Sequence, residues 1–276
     1  MAATYATFRA YAEVIGDPIA QSKSPLIHGF WLNALGIGAE YRRTLVTPAD
    51  LAAHIDRRRD DPDWRGCNVT MPHKLAVLDL IEDRGGLRDG IGAVNTVFRA
   101  EDGALVGTNT DAGGFYAPIA ALDLAGAPVV VVGAGGAARA VLFALSKLGV
   151  GPVTLLNRTP LKAAGLLARF GLNGQALPLD ARLPTAKLLV NASSLGMTGQ
   201  PPLALDLSAL PDGALVYDLV YAPLATDLLL QADARGLDSV DGLDMLIGQA
   251  ALAFEIFFGA EPPRDRDEEL RELLTR

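Results

Sequence analysis

An α/β fold is predicted by three features of the 276-residue chain. Strand and helix patterns alternate along its whole length, a glycine-rich turn stands in mid-chain rather than at the start, and a long apolar helix pattern closes it. The arrangement implies an N-terminal α/β domain, then a Rossmann-type domain with a parallel sheet, and a last helix returning to the first domain. The expected boundaries are 1–110 with 242–276 for the first domain and 111–241 for the second.

Tyr11–Ile15 has the pattern of a strand and runs into GDPIAQSKSP, a loop of turn residues. Ser24 followed by Pro25 has the form of an N-cap and N1 pair, with LIHGFWLNAL as the helix. As a plain cap Ser24 needs no ligand. Ser22, two residues earlier, brings a second hydroxyl to the same helix start, where a carboxylate would be well held. Ala39–Leu45 is expected as a strand, Pro48–Arg59 as a helix, and Arg57–Asp61 as solvated surface.

Gly66–Thr70 is the next expected strand, and Pro72 is expected to open a helix with Lys74 in its first turn. The helix dipole disfavours a cation there. Lys74 is therefore either a surface ammonium reaching for water, or a general acid/base whose pKa the helix end and desolvation bring down. Ile91–Phe98 is expected as a strand carrying Asn95, whose buried amide needs partners in the backbone or in a ligand. Gly107–Gly114 leads into a helix through about Leu122 with Asp111 at its start. That carboxylate either caps the helix or pairs with Lys74 and accepts from a substrate hydroxyl.

Val129–Val132 forms a buried strand, and Gly133, Gly135 and Ala138 follow as G-x-G-x-x-A before a helical run. The first glycine permits the tight turn, the second lets the backbone approach a pyrophosphate, and the small third residue lets helix and strand pack. The strand Pro152–Leu156 ends in Asn157, Arg158 and Thr159, with Lys162 a turn later. An NAD site usually carries a carboxylate about 20 residues past the glycines. Here a guanidinium stands at the strand end, suited to a 2′-phosphate, so NADP is favoured. Thr159 and Pro160 also fit a helix start.

Strands expected at Leu188–Asn191 and Ala214–Leu219 end in SSLGMTG and VYAP, loops that border the ligand in an open parallel sheet. Tyr221 offers a hydroxyl there, or only packs. The tail DGLDMLIGQAALAFEIFF is an amphipathic helix with Gln249 near its apolar face, an amide that invites a ligand contact. The final EPPRDRDEELRELLTR is expected as charged surface without chemistry.

Composition excludes several classes of function. A net charge of −8 argues against nucleic acid and anionic membranes as partners. Cys67 is the single cysteine, which leaves no intrachain disulfide and no thiolate metal cage. His28, His54 and His73 lack metal-ligand spacing, so no metal is expected. The N-terminal stretch lacks a basic segment followed by an apolar one, and no apolar run is long enough to span a bilayer, so a cytoplasmic location is expected.

Taken together, IGDPIAQSKSP, GCNVTMPHK, GAVNT, NTDAGG, GAGGAAR, NRT, VNASSLGM and DGLDMLIGQAA, in that order, resemble the shikimate dehydrogenase family. The resemblance covers nearly the whole chain. It implies NADP-dependent, reversible reduction of 3-dehydroshikimate to shikimate in aromatic amino-acid biosynthesis, with a small-molecule substrate and a monomer or homodimer. It implies Lys74 as catalytic lysine and Asp111 as its acidic partner. Ser22 and Ser24 would hold the shikimate carboxylate, with Thr70, Asn95, Tyr221 and Gln249 as further substrate contacts. Gly133, Ala134, Gly135, Gly136 and Ala137, with Asn157, Arg158, Thr159 and Lys162, would bind NADP. Leu219 and Gly242 would border the nicotinamide, and Asp83, in an acidic helix after the lysine, would match a further NADP contact. The alternatives are a quinate/shikimate or aminoshikimate dehydrogenase, and, in another class, a non-catalytic ligand-sensing protein of the same fold.

Overall fold

The computed structural model describes residues 10–276. Two compact units emerge, one of residues 10–110 with 250–276 and the other of residues 111–249. The boundary near the C-terminus falls inside a helix, later than the expected break at 241/242.

The first unit is built on a mixed sheet of β1 (Ala10–Gly16), β2 (Ala39–Leu45), β3 (Trp64–Val69), β4 (Thr96–Arg99) and β5 (Leu105–Thr108), in the order β2-β1-β3-β4-β5. β1, β2 and β3 are parallel, and β4 and β5 pair antiparallel at one side. Helices α1 (Ser24–Leu35) and α2 (Leu51–Arg59) make the crossovers. Tyr11, Ile15, Trp64, Cys67, Val69 and Val97 are among the buried side chains of its core.

The second unit opens with α3 (Asp111–Tyr116) and contains a parallel sheet. Its strands are β6 (Val129–Val132), β7 (Val153–Leu156), β8 (Gly174–Leu177), β9 (Leu188–Asn191), β10 (Leu215–Asp218) and β11 (Asp238–Val240). Helices α4 (Gly136–Leu148), α5 (Pro160–Arg169) and α6 (Asp227–Ala234) connect them. The sheet order is β8-β7-β6-β9-β10-β11, which is the 3-2-1-4-5-6 order of a doubly wound fold. Val129 and Val131 enter one apolar cluster while Val130 and Val132 enter another, so four consecutive valines are all buried because both faces of the sheet are covered.

The chain closes with α7 (Gly242–Phe258) and α8 (Asp267–Thr275). Phe254 on α7 lies 5.8 Å, ring to ring, from His28 and 5.5 Å from Trp31, so the end of this helix builds into the first unit.

Several local expectations are corrected. The second helix begins at Leu51, with residues 48–50 in a turn. Pro72 opens no α-helix: residues 71–75 form turns and a short 3-10 segment follows at Ala76–Asp79. The reason is tertiary, because the Lys74 carbonyl accepts from Val94 N–H at 2.7 Å and Leu78 N–H turns to Leu75 instead. Residues 91–95 precede β4 rather than belonging to it. The region around Asp83 is also not helical. Arg58 and Asp61 are not simply solvated, since Arg58 pairs with the buried Glu13 and Asp61 accepts from the Tyr11 hydroxyl at 2.6 Å. The C-terminal segment is more than charged surface: Leu270 and Leu274 are buried, and α8 packs against α1.

Candidate functional site

In the first unit, parallel pairing of β1 with β3 sends the loops after both strands out of one sheet edge. Ser22 and Ser24 follow β1 and are both buried. Ser24 is the first residue of α1 and not its cap; Lys23 holds the cap position and no side chain caps the helix. The Ser24 N–H instead approaches Ser22 Oγ at 3.4 Å, while Arg43 Nε donates to the Ser22 carbonyl at 2.8 Å. Lys23 donates to the carbonyl of Leu274, which ties the serine loop to α8.

Thr70 follows β3, its N–H donating to Ile15 O at 2.9 Å. The Asn95 carbonyl accepts from Val69 N–H at 2.7 Å, and Lys74 is joined to Val94 as described above. Main-chain bonds thus gather Thr70, Lys74 and Asn95 on the edge that also carries the serines. Lys74 is half-buried. Because no helix starts at Pro72, Lys74 does not stand in the first turn of a helix. Asn95 is buried; its Oδ1 accepts from Thr110 N–H at 2.7 Å and its Nδ2 donates to Thr110 Oγ1 at 2.8 Å. Asp83 stands apart, its carboxylate accepting from Leu87 N–H at 2.6 Å and Arg88 N–H at 2.8 Å.

In the second unit, Asp111 is buried at the start of α3. That helix packs on α7 so closely that a Cβ on Gly114 would lie 2.7 Å from Gln249 N. Gln249 is buried, with Nε2 donating to Leu246 O at 2.8 Å. The remaining candidates sit at the carboxyl ends of parallel strands. Gly133 follows β6 at the point where strand order reverses, with φ of +107° and a Cβ position 2.8 Å from Ala192 O. Glycine is required there by both conformation and space. At Gly135, by contrast, a Cβ would meet nothing within 4 Å. Ala134, Gly136 and Ala137 complete the turn into α4.

Asn157, Arg158 and Thr159 follow β7, with Arg158, Thr159 and Lys162 exposed. Thr159 holds the N-cap position of α5 and Pro160 its first turn, but the threonine hydroxyl makes no capping bond. The Asn157 amide donates to Thr159 O at 3.0 Å. Leu219 follows β10 and meets Gly242, where a Cβ would fall 2.5 Å from the Leu219 carbonyl. Burial pushes the Tyr221 phenol above its ordinary pKa.

Two buried polar groups of this edge escaped the sequence reading. Asn191 Nδ2 donates to Asp218 Oδ1 at 2.8 Å, and Thr226 Oγ1 donates to Asp218 Oδ2 at 2.7 Å. Burial raises the Asp218 carboxyl above the usual range against the pull of these donors. Their only sequence signal is a polar residue closing each buried strand.

Residues 14–97 match the family described as shikimate dehydrogenase substrate binding domain, and residues 242–270 match the shikimate 5'-dehydrogenase C-terminal domain. A shikimate dehydrogenase (NADP(+)) of Sphingopyxis alaskensis is 71% identical over 96% of this chain and 97% of its own length. The chain belongs to the shikimate dehydrogenase family. Among solved structures, the shikimate 5-dehydrogenase of Thermus thermophilus in complex with NADP(H) and shikimate superposes with a TM-score of 0.83. It is 39% identical and covers 96% of this chain and 99% of its own. The quinate dehydrogenase of Corynebacterium glutamicum in complex with NAD reaches the same TM-score of 0.83 at 32% identity, covering 96% and 99% of the two chains. The family's substrate-domain match contains Ser22, Ser24, Thr70, Lys74, Asp83 and Asn95, and its C-terminal match contains Gly242 and Gln249.

Proposed function

We propose that this chain catalyses the reversible, NADP-dependent reduction of 3-dehydroshikimate to shikimate, a step of aromatic amino-acid (chorismate) biosynthesis. The observation that carries the reading is the grouping of two buried serines, Thr70, Lys74 and Asn95 on one parallel sheet edge, in a member of this family.

The residues present fit a dinucleotide. The open space at Gly135, before the N-terminus of α4, leaves room for a pyrophosphate and points backbone N–H groups at it. When bound, NADP supplies or accepts the hydride. Gly133–Ala137 hold its pyrophosphate, and Arg158 pairs with the 2′-phosphate, assisted by Asn157, Thr159 and Lys162. Leu219 and Gly242 would border the nicotinamide, and Asp83 would be a further NADP contact.

Ser22 and Ser24 hold the substrate carboxylate, while Thr70, Asn95, Tyr221 and Gln249 bind its remaining polar groups. Lys74 delivers a proton to the oxygen that becomes the C3 hydroxyl as hydride reaches that carbon, and takes it back in the reverse direction. Asp111 accepts from a substrate hydroxyl and orients the lysine. The assignment of residues 1–110 with the C-terminal helices to substrate, and of the parallel-sheet unit to NADP, follows from these roles. The reading includes no metal, nucleic acid or membrane partner, a cytoplasmic location, and a monomer or homodimer. Among the described residues no helix is long and apolar enough to cross a membrane.

The test is initial rates with shikimate and with quinate, each with NADP and with NAD. Fast turnover of shikimate with NADP supports the reading. Comparable quinate turnover or strong NAD use moves the chain to the quinate/shikimate class, and binding without turnover makes it a sensor.

A further inference from the structure

The loop between β1 and α1 carries two open hydroxyls. Ser22 Oγ accepts from Ser24 N–H at a long 3.4 Å, and neither serine hydroxyl donates to a described residue, although both serines are buried. Their hydrogens are left for an acceptor from outside the chain. An anionic acceptor also needs compensating charge, and the chain as a whole, at −8, repels it.

Arg43 stands where that charge is wanted. It lies exposed on β2, opposite Val14 of β1, and its Nε donates to the Ser22 carbonyl at 2.8 Å. The carbonyl and hydroxyl oxygens of one serine are about 3 to 5 Å apart, which puts Arg43 Nε within about 8 Å of the Ser22 hydroxyl. This is inside the screening length of about 10 Å at 0.1 M salt. Among the described residues, none accepts from the two Nη groups of Arg43 and no carboxylate pairs with it. The acids on the neighbouring strand positions are spent elsewhere: Glu40 pairs with Arg42 at 2.7 Å, and Glu13 with Arg58 at 2.7 Å. Lys23, between the serines, is spent as well. Its ammonium donates to the Leu274 carbonyl in the last turn of α8, where the helix end itself favours a cation.

We infer that Arg43 is a specificity-determining residue, which anchors the serine loop through the Ser22 carbonyl and supplies the positive charge that makes this loop select a carboxylate. It acts through space and through the loop, while the serine hydroxyls make the contact. The inference rests on the proposed role of Ser22 and Ser24 in holding the substrate carboxylate.

The test separates charge from anchoring with two variants of the full-length enzyme. Arg43→Gln keeps an N–H for the Ser22 carbonyl and loses the charge, and Arg43→Lys keeps the charge. With NADP saturating, Arg43→Gln should lower kcat/KM for shikimate about three- to tenfold at low salt, through KM rather than kcat. The difference from wild type should close as salt rises to about 1 M, where the screening length is about 3 Å. Arg43→Lys should stay near wild type, the KM for NADP should not move, and the uncharged methyl ester of shikimate should be turned over equally by all three proteins. A loss in Arg43→Gln that is the same at every salt concentration or the same for the ester, equal loss in the lysine and glutamine variants, or no loss at all overturns the charge role. Ser22→Ala with Ser24→Ala separates the underlying reading: an unchanged shikimate KM in that double variant overturns the carboxylate site itself, whatever Arg43 does. Quinate also carries a carboxylate, so an enzyme that prefers quinate decides the same comparison with that substrate.

Discussion

Arg58 Nε meets Glu13 Oε1 at 2.7 Å, on a carboxylate with no exposed surface at all. The same carboxylate accepts from Trp64 Nε1 at 3.1 Å and from the Thr44 hydroxyl at 2.5 Å, with His54 Nε2 at 3.1 Å. These donors come from β2, α2 and β3, so one buried charge on β1 staples the elements around it. Removing a partner from a buried ion pair leaves charge without compensation. Arg58→Ala should therefore destabilise the fold by about 3 kcal/mol, measured by urea denaturation at neutral pH.

The same network makes stability depend on acid. Burial alone would push the Glu13 carboxyl up, but hydrogen bonds from His54, Arg58 and Thr44 together outweigh it and hold it at about 2. A carboxyl with a lower pKa folded than unfolded stabilises the fold above its unfolded value, here 4.5. That contribution is lost as pH falls from 4.5 towards 2. Glu13→Gln should remove it, so the wild-type and variant denaturation midpoints should converge across that window.

The fold was legible in the sequence where the signal was local. The valine run, the two glycines and the strand ending in Asn157–Arg158 each announce their element through period and turn chemistry, and the parallel sheet follows from their alternation. What failed was settled by distant partners. Pro72 opens turns instead of a helix because the Lys74 carbonyl is bound by Val94 N–H. Arg58 belongs to a run of charge whose pattern says surface, and only the position of Glu13 in the sheet makes it an interior partner. The donors around Asn95 come from residues as far apart in sequence as Thr96 and Thr110, so no window of sequence contains the arrangement.

The two glycines of the turn separate folding from cofactor binding. Alanine at position 133 must adopt a φ near +107° with its methyl group against the Ala192 carbonyl. Gly133→Ala should cost more than about 2 kcal/mol of stability. Alanine at 135 meets no protein atom, so Gly135→Ala should cost under about 1 kcal/mol while blocking the pyrophosphate. Denaturation midpoints together with fluorescence titration of NADPH distinguish the two effects.

Cofactor choice should rest on Arg158. It is exposed at the end of β7, so its loss leaves the core intact. Arg158→Ala should raise the KM for NADP about 10- to 100-fold, the scale of a charged hydrogen-bonded pair, with little change for NAD. A variant that loses both cofactors equally would instead mean that Arg158 supports the loop.

Lys74 offers the sharpest test of the chemistry, because the backbone at that residue is held independently of its side chain. The carbonyl of Lys74 accepts from Val94 N–H at 2.7 Å, a bond made by the main chain and kept when the side chain is changed. Lys74→Met keeps the aliphatic stem and removes the proton donor. A positioned acid/base contributes about 10²- to 10⁴-fold, so kcat for shikimate oxidation should fall by at least about 10²-fold while NADPH affinity and thermal stability hold. Near-normal turnover in this variant would remove Lys74 from the proton transfer and leave it a binding contact. A loss of NADPH affinity together with turnover would show that the substitution had disturbed the fold rather than the chemistry.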